Sequence, residues 1–329
     1  MANKHPTAII GSGIAGVTLA RLLTGSNSET EISLFEKSRG VGGRMATRYS
    51  AAMEYDHGAQ FFTVRGSRFK KFLSAYEDAY AVWPAATTTL SPSRKAYSRL
   101  WYEPHYVGTP KMNSLCKKIA ENLHVHLNQK VVQIHGAPGR WFLESENTCF
   151  GPFSWIVSTA PAPQTQQIFN NSALDAPYDA AFALMVPTVK RPDFDGAVVQ
   201  DSPIAWLAVT SSKPQRDRSQ QAGIVAHSHP EWTARHLELP PEEVKDRMFE
   251  ALGELGIEGL DRDSAMLHLW RFARPRAAGA KPFYADSHKQ LAACGDGFVG
   301  DTVESAFESA YELFLRLRTG IGRDVVRSD

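Results

Sequence analysis

The chain has 329 residues, 43% of them hydrophobic and 22% charged, with 36 Lys plus Arg against 35 Asp plus Glu. This balance, without long runs of one sign, excludes the disordered class and argues against nucleic acid or an acidic membrane as the main partner. The length exceeds one ordinary domain and predicts two.

In chain order, six mostly polar residues lead straight into the first apolar run, which leaves no room for a signal peptide. Ala8-Ile9-Ile10 reads as a buried strand, Gly11, Gly13 and Gly16 follow at G-x-G-x-x-G spacing, and Val17 to Leu23 continues as a helix. Gly11 permits the turn, Gly13 lets backbone approach a pyrophosphate, and Gly16 allows helix and strand to pack closely. Ile14, Ala15 and Gly16 then lie at a helix N-terminus whose N–H groups attract phosphate. A second strand, Glu31 to Phe35, ends at Glu36, placed to accept hydrogen bonds from ribose hydroxyls about 20 residues after the last glycine. The pattern predicts a dinucleotide site without separating NAD from FAD.

Lys37 to Thr47 carries a second glycine cluster, too irregular to be a helix. Gly42-Gly43 can bring N–H groups to an anion and Arg44 can grip phosphate with both nitrogens, a second anion site of the kind a ligand as long as FAD needs. Tyr55 to Thr63 reads as a turn whose Gly58 lets something flat approach the backbone. A helix is expected from about Arg68 to Ala81, with Phe69, Phe72, Leu73 and Tyr76 on one face, ended by Trp83-Pro84. Residues 85–105, rich in Ser/Thr and then in Tyr/Trp, predict irregular strands of a second domain.

A helix is next expected from Pro110 to Leu123. Strands at His124 to Leu127, Lys130 to Ile134, Trp141 to Glu144 and Trp155 to Thr159 are expected to continue the first sheet until Ala160-Pro161-Ala162-Pro163 breaks it. His124 and His126 share a strand face without a third ligand nearby, so a solvated face is preferred to a metal. Strands at Phe182 to Val186, Ala205 to Val209, Gly223 to Ser228 and Met266 to Arg271 follow. With them comes an amphipathic helix after Pro240-Pro241, carrying Val244, Met248, Phe249, Leu252 and Leu255. They predict an α+β layer with aromatics on a sheet face, the kind that walls a flat ligand. At the end, a short strand runs into Cys294-Gly295-Asp296-Gly297, and a helix from about Thr302 to Arg318 closes the chain. Its N-terminus again faces a ligand, and Asp296 is placed for ribityl hydroxyls or the phosphate shell.

Four blocks in this order, G-S-G-I-A-G (11–16), S-R-G-V-G-G-R-M (38–45), D-H-G-A-Q-F-F-T (56–63) and C-G-D-G (294–297) before a V-E-S-A helix start (303–306), resemble the renalase family within the larger amine-oxidase-like FAD superfamily. The likeness continues through V-G-T-P-K-M (107–112), S-T-A-P-A-P-Q (158–164), V-Q-D-S-P-I-A-W-L-A (199–208), S-K-P (212–214) and W-R-F-A-R-P (270–275), and so covers nearly the whole chain. It implies an α/β fold: a Rossmann-like FAD-binding domain with a second α+β substrate domain, as in p-hydroxybenzoate hydroxylase and the amine oxidases. Residues 1–75, 106–165 and 286–329 are assigned to the first and residues 76–105 and 166–285 to the second. The resemblance also implies FAD held by Gly11, Gly13, Ala15, Glu36, Lys37, Gly43, Arg44, Gly58, Ala59, Gln60, Val132, Asp296 and Val303. The implied activity is oxidation of 2- or 6-dihydro isomers of NAD(P)H to NAD(P)+, with molecular oxygen reoxidising the flavin and giving hydrogen peroxide.

Hydride transfer to flavin N5 needs walls more than acid–base groups, because the donor carbon has only to be held about 3–3.5 Å from its acceptor. The expected walls are Phe61, which also adjoins the flavin, Trp206, His227, Trp270 and Arg271. Four of them have an ordinary structural reading as well: core packing for the two tryptophans, a strand end for His227, a salt bridge for Arg271. Ser305, Ala310 and Lys111 stand where the family tends to have glycine, and a Ser305 side chain at the helix start is expected to tilt the flavin ring, alter its potential or weaken its binding. Cys116, Cys149 and Cys294 are far apart and lack C-x-x-C spacing, which argues for a reducing cytoplasm and against a zinc site. Cys294 is read as packed, so the FAD is expected to be non-covalent. A conventional amine or amino-acid oxidase and a non-catalytic flavin binder are the competing readings.

Overall fold

The computed structural model describes residues 5–26, 31–50, 53–146, 148–174, 176–217 and 222–318. The strand Thr7–Ile10 is buried along its length, which is why it reads as an unbroken apolar run. It lies inside a six-stranded sheet, ordered Tyr284–Asp286, Leu291–Ala293, Trp155–Ser158, Thr7–Ile10, Ile32–Phe35, His124–His126, parallel except for the first pair. Ile9 sits between Val157 and Leu34 in register. The helix Ile14–Gly25 packs against the last helix, Val303–Arg318, and Leu19, Leu23, Phe307 and Leu313 share one core. Each such fully buried side chain stabilises the layer by about 1.5–3 kcal/mol.

A second, seven-stranded sheet runs Met266–Pro275, Tyr178–Thr188, Ala222–Ser228, Ile204–Val209, Gly196–Val199, Thr87–Ser91, Arg94–Arg99. Alternation along its strands gives it two apolar faces. Leu184, Val186 and Leu207 pack with Val244, Met248 and Leu252 of the helix Pro241–Glu254. Met185 and Val225, on the other face, close on Tyr55 of the strand Glu54–Asp56, joining the two layers. The fold is therefore the α/β architecture expected, with a Rossmann-like layer and an α+β layer against it.

Several local expectations are corrected. The helix expected over 68–81 spans only Ser67–Leu73; a single turn at Glu77–Ala79 follows, and Tyr80–Val82 becomes a strand paired with Tyr106–Gly108. The apolar period ends where this pairing takes over the backbone groups. The helix expected from Pro110 to Leu123 is only Ser114–Ile119. Its N-terminal part is tied elsewhere: Met112 N–H donates to Asp56 Oδ1 at 3.1 Å and Lys111 N–H to Ser114 Oγ at 3.2 Å. Val131–Ala137 and Arg140–Ser145 do not continue the main sheet but pair with Cys149–Phe153 in a separate antiparallel meander. Short hairpin connections permit only antiparallel pairing there, whereas the parallel sheet needs crossovers. His126 stacks on Phe35, ring centroids 4.6 Å apart, which gives that histidine a packing role.

Candidate functional site

The first two glycine turns lie side by side. Gly11 has φ +100°, a conformation closed to most side chains, and Gly42 N–H donates to Ser12 O at 3.0 Å. A Cβ on Gly16 would sit 2.1 Å from Gly11 O, so only glycine lets this helix start so close to its strand. A Cβ on Gly13 would have nothing nearer than Gly43 Cα at 3.8 Å, so backbone faces backbone across the cradle. Gly13 caps the helix Ile14–Gly25 without a side-chain hydrogen bond, so no side chain competes for the N–H groups of its first turn. The Glu36 carboxylate accepts from Ser12 N–H at 3.0 Å, Ser12 Oγ–H at 2.8 Å and Ser38 N–H at 2.8 Å. An ionised carboxylate has about four acceptor sites, so one remains for a ribose hydroxyl. A dinucleotide such as FAD fits this donor and acceptor set at its phosphate and ribose end.

At the third turn the arrangement differs from expectation. Arg44 and Asp296 do not stand apart as separate ligand groups; the guanidinium grips the carboxylate with both terminal nitrogens, Nη2 to Oδ1 at 2.7 Å. Tyr178 O–H adds a bond to Asp296 Oδ1 at 3.2 Å, and Arg44 Nη1 also donates to Ala273 O at 3.2 Å. Burial opposes charge on Arg44, but Asp296 outweighs it and holds the pKa above the ordinary arginine value. Gly295 N–H donates to Ser309 Oγ at 2.9 Å, and Ser309 Oγ donates in turn to Pro282 O. Val303 opens the last helix as expected, but Ser305 does not reach outward. Its Oγ lies 2.8 Å from Thr302 Oγ1, which also accepts Ser305 N–H at 3.0 Å, so the serine completes the helix cap. Lys37 is exposed just beyond Glu36. Val132, 41% exposed, lies where the meander slips register. Cys294 is fully buried, and burial pushes its thiol pKa up.

The turn from Asp56 to Gln60 joins the cradle to the seven-stranded sheet. Ala59 N–H donates to Arg44 O at 2.8 Å, and a Cβ on Gly58 would fall 2.0 Å from that same oxygen. On the other side, His57 O accepts from Trp270 Nε1–H at 2.9 Å and lies 3.0 Å from His227 Nε2. A carbonyl only accepts, so His227 carries its proton on Nε2. The His57 ring stacks on Trp270 at 4.9 Å and meets His268 edge-on at 4.9 Å. Burial pushes both His57 and His227 down to about 4, so both are neutral at pH 7.

Sheet register assembles this wall. His268, Ala183, His227 and Trp206 are lateral neighbours on four successive strands. Trp206 is grouped with Phe61 (5.6 Å) and Trp101 (6.0 Å), and Phe61 with His105 (4.2 Å), beside the His57 group. Arg271 is not brought into either group; it is exposed at the start of the stretch where Met266–Pro275 slips register against Tyr178–Thr188. His268, Tyr178, Trp101 and His105 have no local motif that marks a role, and His57 and Lys213 stand inside D-H-G-A-Q-F-F-T and S-K-P without a role legible there. The alternation in His268-x-Trp270 was the one available signal for His268.

Beneath the turn lies a buried ionic cluster. Lys213 Nζ, fully inaccessible, is 3.1 Å from Asp56 Oδ2 and 3.1 Å from Gln60 Oε1, and Arg216 Nη2 is 2.6 Å from the same Asp56 oxygen. Burial works against the Asp56 carboxylate, but Lys213 and Arg216 outweigh it and hold it at about 2. Gln60 Nε2–H donates to the carbonyls of Asp56 and Gly58.

Among the described residues no group of three or more His, Cys, Asp or Glu could hold a metal ion, and no helix is long and apolar enough to cross a membrane. Residues 9–76 match the NAD(P)-binding Rossmann-like domain family. Renalase from Mus musculus is 21% identical over 345 residues, an alignment covering 94% of this chain and 98% of that protein. Among solved structures, a protein assigned as a protoporphyrinogen oxidase from an Exiguobacterium species superposes with a TM-score of 0.77 at 12% identity, over 97% of this chain and 99% of the other. A putrescine oxidase variant redesigned in its cofactor binding gives a TM-score of 0.69 at 11% identity, over 96% and 98%. These likenesses agree with the resemblance read from the glycine motifs, and the solved structures share the fold of this chain.

Proposed function

We propose that the protein is an FAD-dependent oxidoreductase that oxidises isomeric reduced nicotinamide dinucleotides, the 2- or 6-dihydro forms, to NAD(P)+, with molecular oxygen as the final acceptor and hydrogen peroxide as its product. Gly11, Gly13, Gly43 and the first turn of the helix Ile14–Gly25 would hold the pyrophosphate by backbone N–H groups, and Glu36 the adenosine ribose. Gly58, Ala59 and Gln60 would lie along the ring system. When bound, FAD supplies a two-electron acceptor for the substrate's hydride and passes the pair on to oxygen.

The chain's own part is positioning. The observation that carries the reading is the wall of neutral rings, His57, Trp270, His268 and His227, set against the turn that touches the second glycine cluster. A dihydropyridine is flat and uncharged and loses a hydride without first losing a proton, so it needs stacking surfaces and exclusion of water more than a base. Asp56, the buried carboxylate next to His57 in the chain, is committed to Lys213 and Arg216 and is not offered to a substrate amine.

The test is the absorption spectrum of the purified protein, followed by anaerobic addition of the NADH isomer mixture made with borohydride. The expected outcome is a yellow protein whose visible bands bleach with the isomers and return on admitting air. Bleaching by simple amines but not by the isomers would favour an amine oxidase instead, and a colourless protein that takes up no FAD would overturn the flavin reading altogether.

A further inference from the structure

Two cations share one carboxylate beneath the Asp56 to Gln60 turn. Lys213 and Asp56 are 0% and 2% exposed at their side chains, and Arg216 only 9%. A lysine so deeply buried is rare unless it is paired; burial pushes the Lys213 pKa down, the Asp56 carboxylate works against that, and with Arg216 on the same carboxylate two cationic groups face one anion. The Arg216 Nη1 atom is buried without a hydrogen-bond partner, so part of this guanidinium's charge is left unanswered. The excess charge is coupled to the turn by direct contacts. Lys213 Nζ sits 3.1 Å from Gln60 Oε1, which fixes the amide so that its Nε2–H must point to the carbonyls of Asp56 and Gly58. Ala59, the residue between Gly58 and Gln60, donates its N–H to Arg44 O of the second glycine turn.

We propose that Lys213 and Arg216 are positioning residues that hold the turn and place a net positive potential under the ring seated on it, favouring the two-electron reduced, negatively charged flavin over the oxidised one. The proposal rests on the flavin reading above. In a low-dielectric interior a buried charge is screened far less than at the surface, so its loss would register on the reduction equilibrium of a ring held by this turn.

The sign of the effect is the test. The midpoint potential of the FAD-loaded protein is measured against a reference dye for the wild type, Lys213→Met and Arg216→Met, with FAD affinity and thermal midpoint recorded alongside. Each neutral variant is expected to lower the equilibrium constant for reduction about tenfold, a shift of about 30 mV to more negative potential for two electrons. Asp56→Asn, which removes the countercharge and keeps the shape, is expected to move the potential the opposite way. Where Asp56→Asn does not fold, the two cation variants decide the matter. Variants that are less thermostable but keep the wild-type potential would overturn the proposal and leave the flavin reading standing. A wild-type protein that takes up no FAD would overturn both.

Discussion

The carbonyl of His57 and the indole of Trp270 are joined twice: Nε1–H donates to the oxygen at 2.9 Å, and the two rings stack with centroids 4.9 Å apart and planes 29° from parallel. The contact fastens the turn of one layer to the sheet of the other. Trp270→Phe keeps the stack and removes the donor, and since His227 still reaches the same carbonyl, the expected loss is only about 1 kcal/mol. Urea unfolding checks this; a loss of several kcal/mol would mean that the indole N–H anchors more of the interface than this one bond.

Glycine is required at some positions of the nucleotide turn and not at others. Gly16→Ala would push a methyl to within 2.1 Å of Gly11 O, and it is expected to abolish FAD retention or soluble expression. Gly25→Ala, where a Cβ would meet nothing within 4 Å, is expected to be neutral or to stabilise the helix by about 0.5–1 kcal/mol. Flavin content after purification separates the two, and a Gly16→Ala protein as yellow as the wild type would contradict the close helix-to-strand approach.

Stability should fall in mild acid. His57 and His227 are held near 4 in the fold, chiefly by burial, against about 6.5 in the unfolded chain. Between these values the unfolded state binds more protons, so stability rises with pH across that window. It is complete above about pH 6.5 and is lost as pH falls through 4. Urea midpoints from pH 7 to pH 4 read the slope, and His227→Gln should flatten it by removing one of the two titrations. A midpoint that does not change between pH 6.5 and 4.5 would be the contrary result.

Ser305 departs from the glycine of the resembled family, and its side chain turns back on Thr302. Ser305→Gly is therefore expected to leave the flavin spectrum and FAD affinity within about twofold of wild type, and to cost roughly 0.5–1 kcal/mol of stability through the added backbone freedom and the lost cap contact. A marked gain in FAD affinity would instead mean that the serine obstructs the ring.

The legible part of the site was the part built from neighbours in sequence. The strand Thr7–Ile10, its glycines and the helix after them could be read because a turn of that tightness imposes glycine locally, whatever the rest of the chain does. The expected helix runs on to Ala81, into the strand Tyr80–Val82, because that strand's partner, Tyr106–Gly108, lies further along the chain and leaves no period in the local pattern. Arg44 and Asp296 were each recognised as charged groups near a ligand, but their pairing across 252 positions had no local signature.

Alone, then, the order of residues determined the Rossmann-like start, the glycine turns and the acid at the second strand's end, since backbone sterics and the periods of strand and helix act over a few residues. Only the folded molecule decided which rings face His57, why Arg271 stands outside, and that Lys213 lies under Gln60. Those contacts depend on the register of seven strands and on one layer closing over another, and no short stretch of sequence carries that information.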